Sequence, residues 1–351
     1  MRFKRTKNLL YIFSSVMVLG LALISFDAPG PAKQTGQLAT SASTKKTDKA
    51  QSPKHTATPT PTNTPTPTPT PTLAQLNAAI EIQPATDDIG AGLTTLITNH
   101  LNDYYADESL QVKKINNVTC YYKPGLSDIT YFVYAAYDII YEGSNVPVPT
   151  LKEYLVSMDE EQNVSILDSS DDTDVQEALL LSRASQSVTE LYIKELIRCY
   201  MNAKLAVDNE LLSSLVTNPS YLDFEKIRKT TEYIEEYLNP EYLIYSCSDT
   251  IPEFDYVVYV AFSSKIVNIK TPAPGIDEFL IQIDDNNYPQ VFLGEISSES
   301  QNRRMELRMT EEYTTFYKVK AEEPLVEAML SDSSLRAFIE RLYLNEENTE
   351  N

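Results

Sequence analysis

The sequence contains no tryptophan, two histidines, three cysteines and nine glycines. Two histidines leave no room for a multi-histidine metal centre and little for imidazole acid–base chemistry. Three cysteines exclude a disulfide-rich scaffold and a four-cysteine zinc site. Basic residues are scarce in most of the chain. Residues 73–351 hold 20 Lys/Arg against 48 Asp/Glu, a balance of −28, whereas residues 1–72 carry +7. So acidic a region repels phosphate backbones, and no nucleic-acid partner is expected. What the chain does hold is 23 tyrosines and 20 prolines in a length of 351 residues, enough for two domains and a tail.

Arg2, Lys4, Arg5 and Lys7 stand before an apolar run over residues 9–26, with Asp27 after it. Eighteen residues of helix span about 27 Å, near the ~30 Å of a hydrocarbon core. Basic residues before the run predict a cytoplasmic stub at residues 1–8 and export of all that follows. A cleaved signal peptide has a shorter core and a small-residue cleavage site. The long run and the unpromising Ser25-Phe26-Asp27-Ala28-Pro29 that follows favour an uncleaved, single-pass anchor in the cell membrane, with secretion after cleavage as the alternative. Residues 27–72 are rich in Ser, Thr and Pro and end in alternating Thr-Pro. They predict a disordered, polyproline-like spacer of about 140 Å when extended, open to O-glycosylation.

Beyond the spacer the chain repeats itself. YFVYAAYD at residues 131–138 matches YVVYVAFS at residues 256–263, and the 125-residue offset also aligns Pro147 with Pro272, Pro149 with Pro274, Glu153 with Glu278 and Asp159 with Asp284. The periodicities predict helices over residues 188–203 and 224–237, then strands over 242–248, 255–269, 276–283 and 288–293, with Pro272, Pro274 and Gly275 as breakers. A shorter first unit opens with a helix over residues 93–105, matched to residues 188–200 at an offset of 95. A helix over residues 325–344 echoes residues 175–179 and reads as a C-terminal cap. The fold class expected is α+β: two tandem helix-on-antiparallel-sheet rolls, over residues 73–172 and 173–322, with a tail at 323–351.

In the second unit, Leu196-Ile197-Arg198-Cys199-Tyr200-Met201-Asn202-Ala203 leading to residues 211–216, then a helix and the strand run, resembles the nuclear-transport-factor-2-like superfamily, which shares the cystatin-like roll. It looks like the tandem modules of Gram-positive surface proteins. The resemblance implies, as one option, ketosteroid-isomerase-like chemistry from a carboxylate and a tyrosine in the cone between helix and sheet. Tyr134 and Asp138, four apart on one strand face, are the candidates.

Other clusters read as structural. The acidic run Asp168, Asp171, Asp172 and Asp174 lacks the Gly and Glu of a calcium loop, and Thr173 or Asp174 capping the next helix explains it. No metal or other cofactor is expected. Cys120, Cys199 and Cys247 read as buried small hydrophobes, with a Cys199–Cys247 bridge left open. His100 lies on a helix without triad partners. Strands apolar on both faces require a second cover, either domain–domain or homodimer packing, or a tyrosine-lined platform. The function expected is a non-enzymatic extracytoplasmic surface module that binds a peptide, glycan or protein partner or serves as a spacer. The alternative is a small-ligand binder or enzyme using the cone.

Overall fold

The computed structural model describes residues 80–347, apart from residues 160, 162, 168–172, 184 and 248–249. The expected membrane segment, the spacer and most of the acidic run lie outside the described residues. Strands β1 (Gln83–Pro84), β2 (Val112–Pro124), β3 (Thr130–Tyr141), β4 (Val148–Met158) and β5 (Val164–Leu167) form one antiparallel sheet in chain order. Strands β6 (Ile234–Ser246), β7 (Tyr256–Ile266), β8 (Ala273–Ile283) and β9 (Pro289–Val291) form a second. Helix α1 (Asp88–Tyr105) precedes the first sheet. Helices α2 (Thr173–Arg183), α3 (Gln186–Ala206), α4 (Asn209–Ser214) and α5 (Phe224–Thr231) join the two. After the second sheet come α6 (Ser298–Arg308), α7 (Glu311–Tyr317), a π-helical turn (Lys318–Glu322), α8 (Glu323–Ser331) and α9 (Ser333–Glu347). The class is α+β with antiparallel sheets.

The central strands dictate this layering. In β3, Val133, Ala135, Tyr137 and Ile139 turn to α1 and meet Leu93, Ile97 and Leu101, spaced four apart along one helix face. Phe132 and Tyr134 turn the other way, to Val175, Ala178 and Leu179 of α2 and Val188, Leu191 and Tyr192 of α3. The second sheet repeats the pattern. Val258, Val260 and Phe262 meet Ile193, Ile197, Tyr200 and Met201 of α3, while Val257 and Tyr259 meet Leu307 of α6 and Tyr313 and Tyr317 of α7. Both faces of each sheet are thus covered by the chain's own helices, the second face of the first sheet by α2 and α3 from beyond residue 172. Each large side chain so buried contributes about 1.5–3 kcal/mol of transfer free energy. Helix α3 serves both sheets.

The two sheets agree in register. Asp138 pairs with Pro149, and Ser263 with Pro274; Tyr131 pairs with Val156, and Tyr256 with Ile281. The β2–β3 and β6–β7 ladders carry irregularities at corresponding places, between Asn116 and Thr119 and between Leu238 and Glu241. At each a left-handed asparagine, Asn117 (φ 54°) or Asn239 (φ 50°), takes the bulge. Helices α2 and α6 begin and end at residues 125 apart, as do the N-caps Ser185 and Thr310 of α3 and α7.

Several expectations need correction. The helix expected over residues 224–237 ends at Thr231, because Ile234 already pairs with Ile266 and opens β6. Pro274 and Gly275 lie inside β8 rather than breaking it, since Pro274 sits on an edge where no amide donor is needed. The helix expected over 325–344 is two helices, split where the Asp332 carboxylate accepts from the Ser334 and Leu335 amides. Burial aligns Leu93, Ile97 and Leu101 with Ile193, Ile197 and Met201, an offset of 100 instead of 95. Cys120, Cys199 and Cys247 are all free and buried, so the optional bridge is not formed. Burial pushes the Cys199 thiol up to about 11.

Lys123 sits at the α2–α3 junction, 1% exposed, its ammonium donating to the Ser182 carbonyl (3.0 Å) and Ser185 Oγ (3.2 Å). A cation at the C-terminal end of α2 is well placed for the helix dipole, yet burial lowers its titration to about 8. The folded chain therefore sheds this proton before the unfolded chain does, and stability contributed by this site rises with pH above about 8. In urea titrations between pH 8 and 9.5, the wild type should gain about 1.5 kcal/mol relative to Lys123→Met. Parallel pH dependence of the two proteins would refute the assignment. A second test uses the two buried tyrosines at one register. Tyr134 donates to Ser182 Oγ at 2.8 Å, whereas the Tyr259 hydroxyl, with Leu307 at the place of Ser182, makes no well-formed hydrogen bond and has only the Arg308 side chain near it. Tyr134→Phe should cost about 1–2 kcal/mol and Tyr259→Phe nothing or less, read as shifts of the denaturation midpoint.

Candidate functional site

The site is best built from the edge of β8. On one side β7 pairs with β8 from Ala273 to Ile281, but on the other β9 pairs with it only from Ile281 to Ile283, extended by the Phe292 amide donating to the Leu280 carbonyl at 2.8 Å. Backbone groups alternate sides along an antiparallel strand. The N–H and C=O of Glu278 and Ile276, and the C=O of Pro274, therefore line up with those of Leu280 along an edge that no strand covers. Residues 273–280 form one wall of a cavity of about 450 Å³.

Aromatic side chains give the cavity its character: Tyr200, Tyr237, Phe262, Phe279, Phe292 and Phe338 line it. Gly275 keeps it open beside Phe262, where an added Cβ would stand 3.7 Å from the ring, an ordinary contact. Lys204, Lys226 and Lys229, with Asp223, supply charge on the α3 and α5 side. The Asp223 carboxylate is committed to capping α5 through the Lys226 amide at 2.9 Å.

The corresponding strand, β4, lies against α3. There α3 runs unbroken for 21 residues, and Asn202 Nδ2 donates to the Pro147 carbonyl at 2.9 Å. At the same offset the second helix carries the π-turn at Lys318–Glu322, and Tyr317, Ala321, Glu322 and Leu325 line the cavity. Such π-turns widen a helix locally and recur at functional sites.

The buried carboxylates are held by arginine. Glu153 takes Nε of Arg183 at 2.8 and 2.9 Å, with Arg183 NH2 also upon it, and accepts from the Tyr192 hydroxyl at 3.1 Å. Glu278 at the same register takes Arg308 Nε at 2.8 Å and also pairs with Arg304. Guanidinium contacts of this kind fix the geometry of each carboxylate. Of the sequence candidates, Tyr134 is fully buried against α2, and Asp138 is 3% exposed. Asp138 accepts from Asn117 Nδ2 at 2.7 Å and Arg198 NH2 at 2.8 Å. Both lie on the α2–α3 side of the sheet, away from the α1 cone, and that cone is filled by Tyr137, Tyr154 and Tyr122. His100 packs edge-on to Tyr154, ring centres 5.5 Å apart. Among the described residues no cluster of His, Cys, Asp and Glu could hold a metal ion. None of their helices is long and apolar enough to cross a membrane.

Sequence reasoning missed the groove. Its signals were present: the Gly275 at the place of Thr150, the short β9, and Pro324 in a helix whose counterpart 125 residues earlier, α3, has no proline. Asp138, read here as half of a structural ion pair, gives a direct check. Asp138→Asn should lower stability by about 1 kcal/mol through the lost charge opposite Arg198, which keeps its pair with Glu195, seen as an earlier urea midpoint, and should leave ligand binding at the β8 groove unchanged. A selective loss of a function with intact stability would restore Asp138 as a chemical group. No family model, no curated protein and no solved structure matches the chain.

Proposed function

We propose that this is a non-enzymatic surface module, two tandem units of a nuclear-transport-factor-2-like roll carried outside the membrane on the Thr-Pro spacer, and that the second unit binds an extended segment of an envelope or extracellular partner. The observation that carries this reading is the pairing of an open strand edge with an aromatic cavity. A peptide backbone can supply the hydrogen bonds that Ile276 and Glu278 offer, and its side chains can enter the pockets on either side, which is recognition by strand addition. The tandem reading is supported by the shared registers, bulges and helix limits of the two sheets. Export is supported by the basic and apolar pattern of residues 1–26.

The alternative, an enzyme or small-ligand binder using the cone in the manner of ketosteroid isomerases, finds less support. Acid–base work needs a carboxylate free to exchange a proton near its reacting atom. Asp138, Glu153 and Glu278 are each engaged by arginine. The first cone is occupied by its own tyrosines. An aromatic cavity remains compatible with a small apolar ligand, and that outcome belongs to the test.

Peptides selected from a random extended library against the full chain in detergent should compete for one site. Gly275→Leu, which places a branched side chain over Phe262, should weaken them by about tenfold or more, roughly 1.4 kcal/mol, with the melting temperature little changed. Peptides indifferent to Gly275→Leu would refute the groove as the site, and a small apolar ligand that displaces nothing but itself would favour the alternative.

A further inference from the structure

We infer that the β8 groove is occupied by the chain's own Thr-Pro tract, residues 64–72, docked as an added antiparallel strand. This rests on the strand-addition reading above and names the segment that fills the site in the protein on its own. The tract is strictly alternating, Thr at 64, 66, 68, 70 and 72 and Pro between. In an extended chain, alternate residues turn their backbone groups to opposite edges. All threonine N–H and C=O groups of the tract therefore fall on one edge, and all prolines, which have no N–H, fall on the other. Such a strand can pair on one side only. It suits an edge position and cannot recruit a further strand.

The groove matches that parity. Threonines opposite Ile276 and Glu278 exchange backbone bonds with them. The prolines then stand opposite Gly275, Asp277 and Phe279, on the sheet face lined by Tyr200, Tyr237 and Phe262. The missing side chain of Gly275 leaves room for a ring above Phe262. Aromatic rings are the usual partners of proline in recognition grooves.

Reach permits docking within one chain. The Ile82 amide donates to Ser187 Oγ at 3.0 Å, which fixes the start of the described chain beside the first turn of α3. Tyr200 and Lys204, at the other end of α3, line the groove. Thirteen to seventeen helical residues separate these points, about 20–26 Å. Residues 73–81, nine in all, can span about 30 Å.

Amide hydrogen exchange on the full chain in detergent tests this through the segment holding Ile276 and Glu278. Those amides should exchange about tenfold or more slowly in the wild type than in a chain lacking residues 64–72. A chain whose tract threonines are all replaced by proline keeps length and rings but has no edge donors, and it should exchange like the deletion. Protection should be independent of protein concentration. Equal exchange in all three chains would overturn the inference, and protection that fades on dilution would assign the tract to a neighbouring copy and overturn docking within the chain. Peptides from the selection above should bind the deletion more tightly than the wild type. Equal binding by both would sink this inference alone, whereas binding by neither would sink the groove itself.

Discussion

The constraint from which the rest follows is the two-sided hydrophobicity of β3 and β7. A strand that alternates polar and apolar residues needs one cover, and these need two. Val133 and Tyr134, neighbours on opposite faces, are both fully buried, as are Val258 and Tyr259 at 0% and 1% exposure. Each sheet must therefore lie between helices, and the chain meets the demand by inserting α2 and α3 between the sheets and closing the far side with α6–α8. The layers alternate, helix, sheet, helix, sheet, helix. In that order α3 has little solvent side to spare, which explains why it buries Val188, Tyr192, Ile193, Ile197 and Tyr200 round its surface.

Ion pairs then fasten what the apolar faces bring together. Arg183 joins Glu153 of the first sheet to the second by donating from NH1 to the Asn286 carbonyl at 3.1 Å and lying 4.3 Å from the centre of the Tyr288 ring. Arg198 does the same work between α3 and Asp138. Side chains 14–30% exposed on the arginine side keep the desolvation cost moderate. At an offset of 125 residues the second sheet keeps the glutamate, as Glu278, and the later arginine, as Arg308, then adds Arg304 at the place of Leu179. Its outer helices have no further sheet to pack against, and more of their bonding is turned inward on Glu278.

Much of this was legible in the sequence because local pattern and tertiary demand agreed. The YFVYAAYD and YVVYVAFS strands, the helix faces and the turn between β8 and β9, where Asp284 accepts from the Asn286 and Tyr288 amides, all follow from periodicity and turn chemistry. The misreadings have physical causes. The charged stretch after Thr231 has helical spacing, but pairing with β7 overrides it. Pro274 breaks a central strand and is harmless at an edge, and which strand is the edge is not a local property. That the far cover came from the chain itself required knowing that residues 298–331 follow the same offset as residues 173–206. Ser182 and Leu307, one a partner for a tyrosine hydroxyl and the other not, show how such correspondence hides in single positions. The groove was invisible for the same reason: it is made by what β9 fails to cover and by the π-turn at Lys318–Glu322, two departures from a repeat that sequence comparison counts only as mismatches.

The position of α3 carries a thermodynamic consequence. A helix whose opposite faces complete two separate cores ties the melting of each to the other: when either sheet loosens, the remaining one is left with its inner face bare to water. The two halves are then expected to come apart in one calorimetric step with matched enthalpies, as a single cooperative body rather than beads that fail in turn.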